Sequence, residues 1–158
     1  MRGSAVRRET IGRSHWRLSA SSPRPWECYW EQCPAFKKQS RAYPGRELIA
    51  GCGYHGWQDW YIGTTSRNRG VPKAVQALTR TFEYNNLASL ERIFAEHPGQ
   101  VAAVIMEPVG VVEPEGRFLD EVRQLAHREG AVLIFDEVLT GFRLALGGAQ
   151  AHFGVTPD

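Results

Sequence analysis

The sequence predicts an α/β domain with a mainly parallel sheet flanked by helices. Apolar runs alternate with helical stripes between residues 75 and 135. The clearest run, residues 131–135, has five apolar residues in succession, which is typical of a parallel strand that is buried on both faces. The order strand, helix, strand, helix, strand predicts parallel strands joined by right-handed crossovers.

The chain length and charge distribution indicate one domain. The 158 residues include 42% hydrophobic residues, enough to bury a sizeable core. Residues 1–50 carry a net charge of +6 and the remainder −4. The basic residues are scattered, so we expect residues 1–40 to be a disordered or non-native extension rather than a nucleic-acid-binding arm. The recognisable domain then covers residues 41–158, and no nucleic-acid partner is predicted.

The cysteines and hydropathy predict a cytoplasmic protein. Cys28, Cys33 and Cys52 form no even framework and have no zinc-type spacing with histidine, which favours reduced thiols and no metal site. No apolar run approaches the roughly 18 residues of a membrane span. The N-terminus lacks the apolar core of a signal peptide, so no membrane partner is expected.

The first elements lie on either side of a glycine-rich loop. Residues 41–46 resemble a helix end with Gly45 as its stop. Residues 47–50 are expected to form a short strand, and Tyr54 and His55 follow among glycines that allow close approach of a ligand. A packed loop anchor is the alternative role for both residues. Residues 57–73 predict a long loop.

The alternating core begins with a strand predicted over residues 75–84. Asn85 and Asn86 can cap the following helix, which should stop at Pro98-Gly99. A second strand is predicted over Val101–Met106, and Gly130 should end the helix after it. The apolar stripes of these two helices recur at helical spacing: Leu87, Leu90, Ile93 and Phe94, then Phe118, Leu119, Val122, Leu125 and Ala126.

Acidic residues follow two of the predicted strands. Glu107 follows one, and Asp136 and Glu137 follow the other. Ligands of open α/β sheets bind at the carboxyl ends of the strands. An acid there can bind a metal–nucleotide or pair with the protonated ring nitrogen of pyridoxal phosphate. A phosphate-binding loop for the nucleotide alternative needs a Gly-Lys pair, which the sequence lacks.

The alternation of side chains along an extended strand gives a prediction for Val138. Val138 lies two residues beyond Asp136, so an extended backbone would direct both side chains toward one site. An ordinary core position is the alternative for Val138.

Four motifs follow one another along the chain: Gly53-Tyr54-His55-Gly56, Glu107-Pro108-Val109, the segment from Phe135 to Arg143, and Phe153-Gly154-Val155-Thr156-Pro157-Asp158. In this order they resemble the class III pyridoxal-phosphate aminotransferases. The resemblance covers about residues 41–158. Within the family, the sequence is similar to the glutamate-1-semialdehyde aminomutase branch. A lone Asp-Glu pair after an apolar run would be weak evidence, but four motifs in order are specific.

The resemblance implies part of a fold type I large domain, with pyridoxal 5'-phosphate at a homodimer interface. Asp136 matches the acid that pairs with the pyridine nitrogen. Val138 and Tyr54 match the residues on the two faces of the ring, and His55 follows in the same loop. Glu107 matches an acid near the substrate side. The implied reaction transfers an amino group between a small-molecule amino donor and an aldehyde or keto acceptor.

Two departures from the family pattern are expected to affect activity. A Gly/Ser-rich phosphate-binding helix start should lie upstream of Arg41, where none is found. The Schiff-base lysine is expected beyond Asp158, so no catalytic residue is assigned, and we expect a fragment that is inactive as an isolated chain. A non-catalytic binding or scaffold protein that retains the fold is the alternative.

Overall fold

The computed structural model describes residues 45–158, which form a four-stranded parallel sheet with helices on both faces. The strands lie in the order β2-β1-β3-β4. The predicted α/β class and the parallel pairing of Val101–Met106 with Val132–Phe135 are confirmed. The strands are β1 (Leu48–Cys52), β2 (Thr79–Thr81), β3 (Val101–Met106) and β4 (Val132–Phe135), and the helices are α1 (Asp59–Ile62), α2 (Lys73–Gln76), α3 (Leu87–Glu96), α4 (Phe118–Arg128) and α5 (Gly148–Phe153).

The sheet is buried because alternate side chains enter two separate apolar clusters. All residues of β1 and β3 are buried. The larger cluster lies between one face of the sheet and helices α3 and α4. On the opposite face, Ile49, Ile105 and Ile134 pack with Trp60 of α1. Strands covered on both faces need no polar alternation, which explains why the sequence shows unbroken apolar runs.

Helices α3 and α4 follow the predicted stop and start signals. Asn86 is the N-cap of α3, and its side chain accepts a hydrogen bond from the Ser89 backbone N–H. Gly130 follows α4 with a φ of +68°, a left-handed conformation that glycine adopts without strain. The predicted cap and the glycine stop are therefore confirmed.

Two segments differ from the sequence prediction. The expected loop over residues 57–73 contains helix α1, where Trp60 is buried and Gly63 N–H closes the last turn on the Asp59 carbonyl at 3.0 Å. The strand expected over residues 75–84 is also shorter. Its first part belongs to helix α2, which the Gln76 side chain ties back to the Val71 carbonyl at 2.8 Å. Burial of Trp60 favours helix α1 over a loop, whereas α2 has no buried residue and is held by short-range hydrogen bonds.

The position of β1 creates a topological switch point. From β1 the chain passes to β2 on one side, and then returns to β3 on the other side of β1. The connections that leave β1 and β3 therefore diverge at their carboxyl ends, where open α/β sheets bind ligands. The predicted short strand over residues 47–50 is confirmed as part of β1, which extends further to Cys52.

The structure describes the C-terminal end of the chain but not the N-terminal end. Residues 1–44, with Cys28, Cys33 and the helix predicted before Gly45, lie outside the described residues. At the other end, Asp158 pairs with the outer edge of β4, since its N–H donates to the Leu133 carbonyl and its carboxylate accepts the Leu133 N–H. Between residues 45 and 158, no helix is long and apolar enough to cross a membrane.

Candidate functional site

Asp136 stands at the carboxyl end of β4, next to the switch point. Its backbone N–H donates to the Met106 carbonyl at 2.8 Å, which continues the ladder with β3 for one residue beyond the strand. The residue is only 6% exposed. Its Oδ2 lies 2.7 Å from Nδ1 of His55, which follows β1. The structure therefore joins the acid and the histidine that the sequence places 81 residues apart.

The hydrogen bonds of His55 restrict its protonation. Nε2 lies 3.0 Å from the Cys52 carbonyl oxygen, which can only accept, so Nε2 carries a hydrogen. The contact between Nδ1 and Asp136 then contains one proton, shared as imidazolium–carboxylate or imidazole–carboxylic acid. Stacking on Trp60, with ring centroids 5.7 Å apart, holds the imidazole plane. His55 can thus orient the carboxylate and hold a proton beside it.

Glu107 holds the loop that carries Tyr54. Its Oε2 accepts the backbone N–H of Tyr54 at 2.9 Å. Gly53 has a φ of +101°, and a Cβ placed there would lie 2.6 Å from the same oxygen. The positive φ and the tight space both favour glycine at this position. The hydrogen bond from Tyr54 to Glu107 joins the end of β1 to the end of β3. The Tyr54 side chain remains 64% exposed and available to a ligand.

Val138 reaches the site by a turn rather than by an extended strand. The backbone leaves β4 after Phe135, and the Val138 N–H donates to Oδ1 of Asp136 at 3.3 Å. An extended backbone, the condition under which strand alternation would direct Asp136 and Val138 to one site, is therefore not met. The aspartate side chain binds the amide two residues ahead, which favours a turn over further extension. Val138 is 52% exposed beside the buried carboxylate.

Glu137 has a different environment from its neighbour Asp136. Its carboxylate is buried and accepts hydrogen bonds from Thr140 Oγ1 at 2.7 Å and from the backbone N–H groups of Ala149 at 2.6 Å and Gln150 at 2.9 Å. The metal–nucleotide alternative requires Glu137 as a second acid, but these hydrogen bonds already occupy its carboxylate. Sequence reasoning assigned Glu137 no separate role; Gly147 and Gly148, at the start of α5, were the available signal.

Three weakly acidic groups near the switch point, Cys52, Tyr61 and Tyr84, are held in their neutral forms. Burial, with a smaller contribution from Glu107, raises the pKa of the Cys52 thiol to about 11. Burial also raises the pKa of Tyr84 to about 12, and its hydroxyl donates to the Pro108 carbonyl at 2.6 Å. The pKa of Tyr61 is raised mainly by burial and next by Glu107. At neutral pH these groups are packing residues rather than anionic nucleophiles.

The chemistry of these side chains fits a flat aromatic cation. A buried carboxylate suits a protonated ring nitrogen, while the partly exposed Val138 and Tyr54 side chains offer apolar and aromatic surface for ring faces. The Tyr54 ring makes an edge contact with Tyr61, with centroids 5.6 Å apart. Pyridoxal phosphate has such a ring. The phosphate-binding helix start that the family pattern places upstream of Arg41 lies outside the described residues.

Comparison with solved structures supports the same family. An omega-transaminase from Sphaerobacter thermophilus is 32% identical with a TM-score of 0.70, over 81% of this chain and 34% of its own. A glutamate-1-semialdehyde-aminomutase from Pseudomonas aeruginosa PAO1 is 31% identical with a TM-score of 0.66, over 78% and 30%. A taurine:2-oxoglutarate aminotransferase from Bifidobacterium kashiwanohense, solved with PLP and glutamate, is 27% identical with a TM-score of 0.65, over 77% and 34%.

The chain spans about a third of the length of these solved structures. The model of the family "Aminotransferase class-III" matches residues 35–158, which include every described element. The switch-point geometry, the buried acid after β4 and this match agree. The chain belongs to the class III aminotransferases, a family whose cofactor is pyridoxal phosphate.

Proposed function

We propose that this chain forms the ring-binding part of a pyridoxal-phosphate-dependent aminotransferase or aminomutase. The reaction would move an amino group between a small-molecule amino donor and an aldehyde or keto acceptor. The observation that carries the proposal is the buried Asp136 carboxylate at the carboxyl end of β4, bound to His55 at 2.7 Å. When bound, pyridoxal phosphate supplies an electron sink for the bonds at the amino-bearing carbon.

Asp136 is proposed to bind the pyridine nitrogen and keep it protonated. A carboxylate excluded from water interacts more strongly with a cation than an exposed one does. His55 supports this role from behind, because its Nε2–H is committed to the Cys52 carbonyl and its Nδ1 faces Asp136. A proton at Nδ1 keeps Asp136 anionic, and an anion is the form that binds a ring N–H.

Tyr54 and Val138 are proposed to lie on opposite faces of the ring. Both side chains are more than half exposed at the carboxyl edge of the sheet, where a flat ligand can cover them. Glu107 is proposed to complete the cofactor site on the substrate side. Its hydrogen bond to the Tyr54 amide supports a contribution through the placement of that loop.

A second copy of the chain is the proposed protein partner, giving a homodimer in the intact protein. The support is the group of exposed apolar side chains in the loops that follow the carboxyl ends of β1, β3 and β4. A cytoplasmic location is proposed as well. The free, buried Cys52 agrees with a reducing compartment.

Pyridoxamine 5'-phosphate is a suitable probe, because it has no aldehyde and binds without a Schiff-base lysine. Calorimetric titration should give a measurable Kd for the parent chain. Asp136→Asn should weaken binding about ten- to a hundredfold, since a hydrogen bond to a charged group contributes about 1.5–3 kcal/mol. Asp59→Asn is the matched control, because Asp59 is exposed on α1, and it should leave the Kd unchanged.

Equal affinities for the parent chain and Asp136→Asn would refute the role of Asp136. A folded parent chain that binds neither pyridoxamine 5'-phosphate nor pyridoxal 5'-phosphate would favour the non-catalytic scaffold instead.

We further propose that the 158-residue chain does not transaminate by itself. Lys73 is the single lysine within residues 45–158, and it is exposed at the start of α2. An exposed amine is mostly protonated near neutral pH and is a poor nucleophile. After incubation with pyridoxal 5'-phosphate and borohydride reduction, peptide mass spectrometry should find no stoichiometric label on Lys37, Lys38 or Lys73. Stoichiometric labelling of one lysine together with turnover of an amino donor would show that the chain is an enzyme in its own right.

A further inference from the structure

We propose that Glu137 is a positioning residue for the cofactor site, acting through the β4–α5 loop (residues 138–147). The inference rests on the proposed function, because it concerns where Val138 lies relative to Asp136. Glu137 is 3% exposed, and its neighbour Asp136 supplies the carboxylate for the ring. Asp136 therefore faces the proposed ligand, whereas Glu137 binds groups within the protein.

The carboxylate of Glu137 caps helix α5 from a distance. Ala149 and Gln150, the second and third residues of that helix, donate their N–H groups to its two oxygens at 2.6 and 2.9 Å. The N-cap residue, Gly147, has no side chain that could do so. A carboxylate at a helix N-terminus satisfies free amides and interacts favourably with the helix dipole. This cap joins the two ends of the β4–α5 loop.

The backbone of the loop is fitted closely around Glu137. Gly148 has a φ of +74°, and a Cβ there would lie 2.8 Å from Glu137 Oε1. A Cβ at Gly141 would lie 2.9 Å from the Glu137 carbonyl oxygen, which accepts the Gly141 N–H at 2.8 Å. Phe142 adopts a φ of 61°, which is uncommon outside glycine. These features indicate one defined loop conformation around the backbone carbonyl and the buried side chain of Glu137.

That conformation sets the place of Val138. Its N–H donates to Asp136 Oδ1. Val138 also directly follows Glu137, whose carboxylate and carbonyl oxygen both accept hydrogen bonds from the residues that come after it. Thr140, which is buried, adds a hydroxyl donor to Glu137 within the same loop. Loss of the cap would free the loop and allow the Val138 side chain to leave the ring face.

Trypsin can report on the loop, because Arg143 is exposed and is the single tryptic site between residues 138 and 158. Glu137→Gln keeps the shape but places an N–H2 donor against one of the two backbone N–H groups, and it should accelerate cleavage at Arg143 about tenfold relative to cleavage at Arg117 in the same sample. Thr140→Val should give a smaller acceleration, and Thr140→Ser should behave like the parent chain. Glu121→Gln, an exposed glutamate on α4, is the matched control and should change nothing.

The same variants should then be titrated with pyridoxamine 5'-phosphate. Glu137→Gln should weaken binding at least fivefold, and Thr140→Ser should retain the parent affinity. Faster cleavage with unchanged affinity would overturn the positioning role and leave Glu137 as a structural cap. Equal cleavage in all chains would overturn the cap as well.

Failure of the proposed function has a different signature. If the folded parent chain binds no probe, the proposed function fails, and the positioning role fails with it, whatever trypsin shows. If circular dichroism shows that Glu137→Gln is unfolded, the comparison of Thr140→Val with Thr140→Ser decides the question, since unchanged cleavage and affinity in Thr140→Val would overturn the proposal.

Discussion

At the residue scale, the site depends on a buried contact between two ionisable groups. The side chains of His55 and Asp136 are 1% and 8% exposed in the pair. Removing one partner of a buried pair leaves the other without compensation for its lost hydration. The stability of the chain should therefore be sensitive to this contact even before any cofactor binds.

We predict that His55→Ala destabilises the chain by roughly 3–5 kcal/mol, because it leaves the Asp136 carboxylate buried without its partner. Urea unfolding followed by circular dichroism measures the change. His152→Ala, at an exposed position on α5, is the matched control and should stay within about 0.5 kcal/mol of the parent chain. A His55→Ala variant as stable as this control would show that the pair contributes little.

A second residue-scale prediction follows from Cys52. Its pKa rises from an ordinary 9.0 to about 11 in the folded chain, so between these values the folded state binds more protons than the unfolded state. Stability is then fully present below pH 9 and is lost as pH rises toward 11. Tyr84 adds to the loss, since its pKa is raised from 10.0 to about 12.

Thermal unfolding from pH 8 to 11 measures this dependence. Cys52→Ala removes the thiol and should flatten the fall between pH 9 and 11, while the contribution of Tyr84 remains. An identical slope in the parent chain and Cys52→Ala would contradict the prediction.

At the element scale, helix α3 places the larger apolar cluster against the sheet, and one side chain defines its start. Asn86 Oδ1 accepts the Ser89 N–H at 3.3 Å, and Asn86 Nδ2 donates to Glu83 at 2.6 Å. Asn86→Ala should destabilise the chain by about 1 kcal/mol, the usual effect of losing such a cap. Chemical denaturation measures the change. Asn86→Ser retains an N-cap acceptor without placing a second carboxylate beside Glu83, and it should lose less; equal losses would show that the cap is not responsible.

At the scale of the whole molecule, apolar exposure is concentrated at one edge. Within residues 45–158, every large hydrophobic side chain that is exposed lies in a loop after the carboxyl end of β1, β3 or β4. An apolar surface of this kind marks an interaction site. The edge that offers the candidate cofactor site is therefore also the candidate interface. Its residues are Tyr54, Trp57, Val111, Val112, Val138, Leu139, Phe142, Leu144 and Leu146.

We predict that the chain self-associates in a concentration-dependent manner, because this surface is more stable when covered. Sedimentation velocity over a hundredfold concentration range measures association. Replacing Trp57 and Leu146, which are 82% and 85% exposed, with serine should shift the chain toward monomer. Glu91→Gln on the outer face of α3 is the control. A parent chain that remains monomeric at every concentration would contradict the prediction.

Much of the fold was predictable because it depends on local sequence patterns. Each predictable feature depends on residues that are close together in the sequence. These features are the apolar runs of β3 and β4, the stripes of α3 and α4, the Asn86 cap and the Gly130 stop. Burial on both faces removes polar residues from a strand, and that absence is visible in the sequence. The position of Asp136 at a strand's carboxyl end followed from the same reasoning, as did Glu107 after β3.

The sequence by itself therefore determined the α/β class, the parallel core and which acids stand at its edge. Only the tertiary structure decided that β1 lies between β2 and β3, that His55 meets Asp136 and that Glu137 turns away to cap α5. The contact of His55 with Asp136 joins residues 81 positions apart, and no local periodicity encodes such a distance. Neighbouring acids have similar local signals, but their partners are set by strand order and backbone path, which arise only when the whole sheet packs.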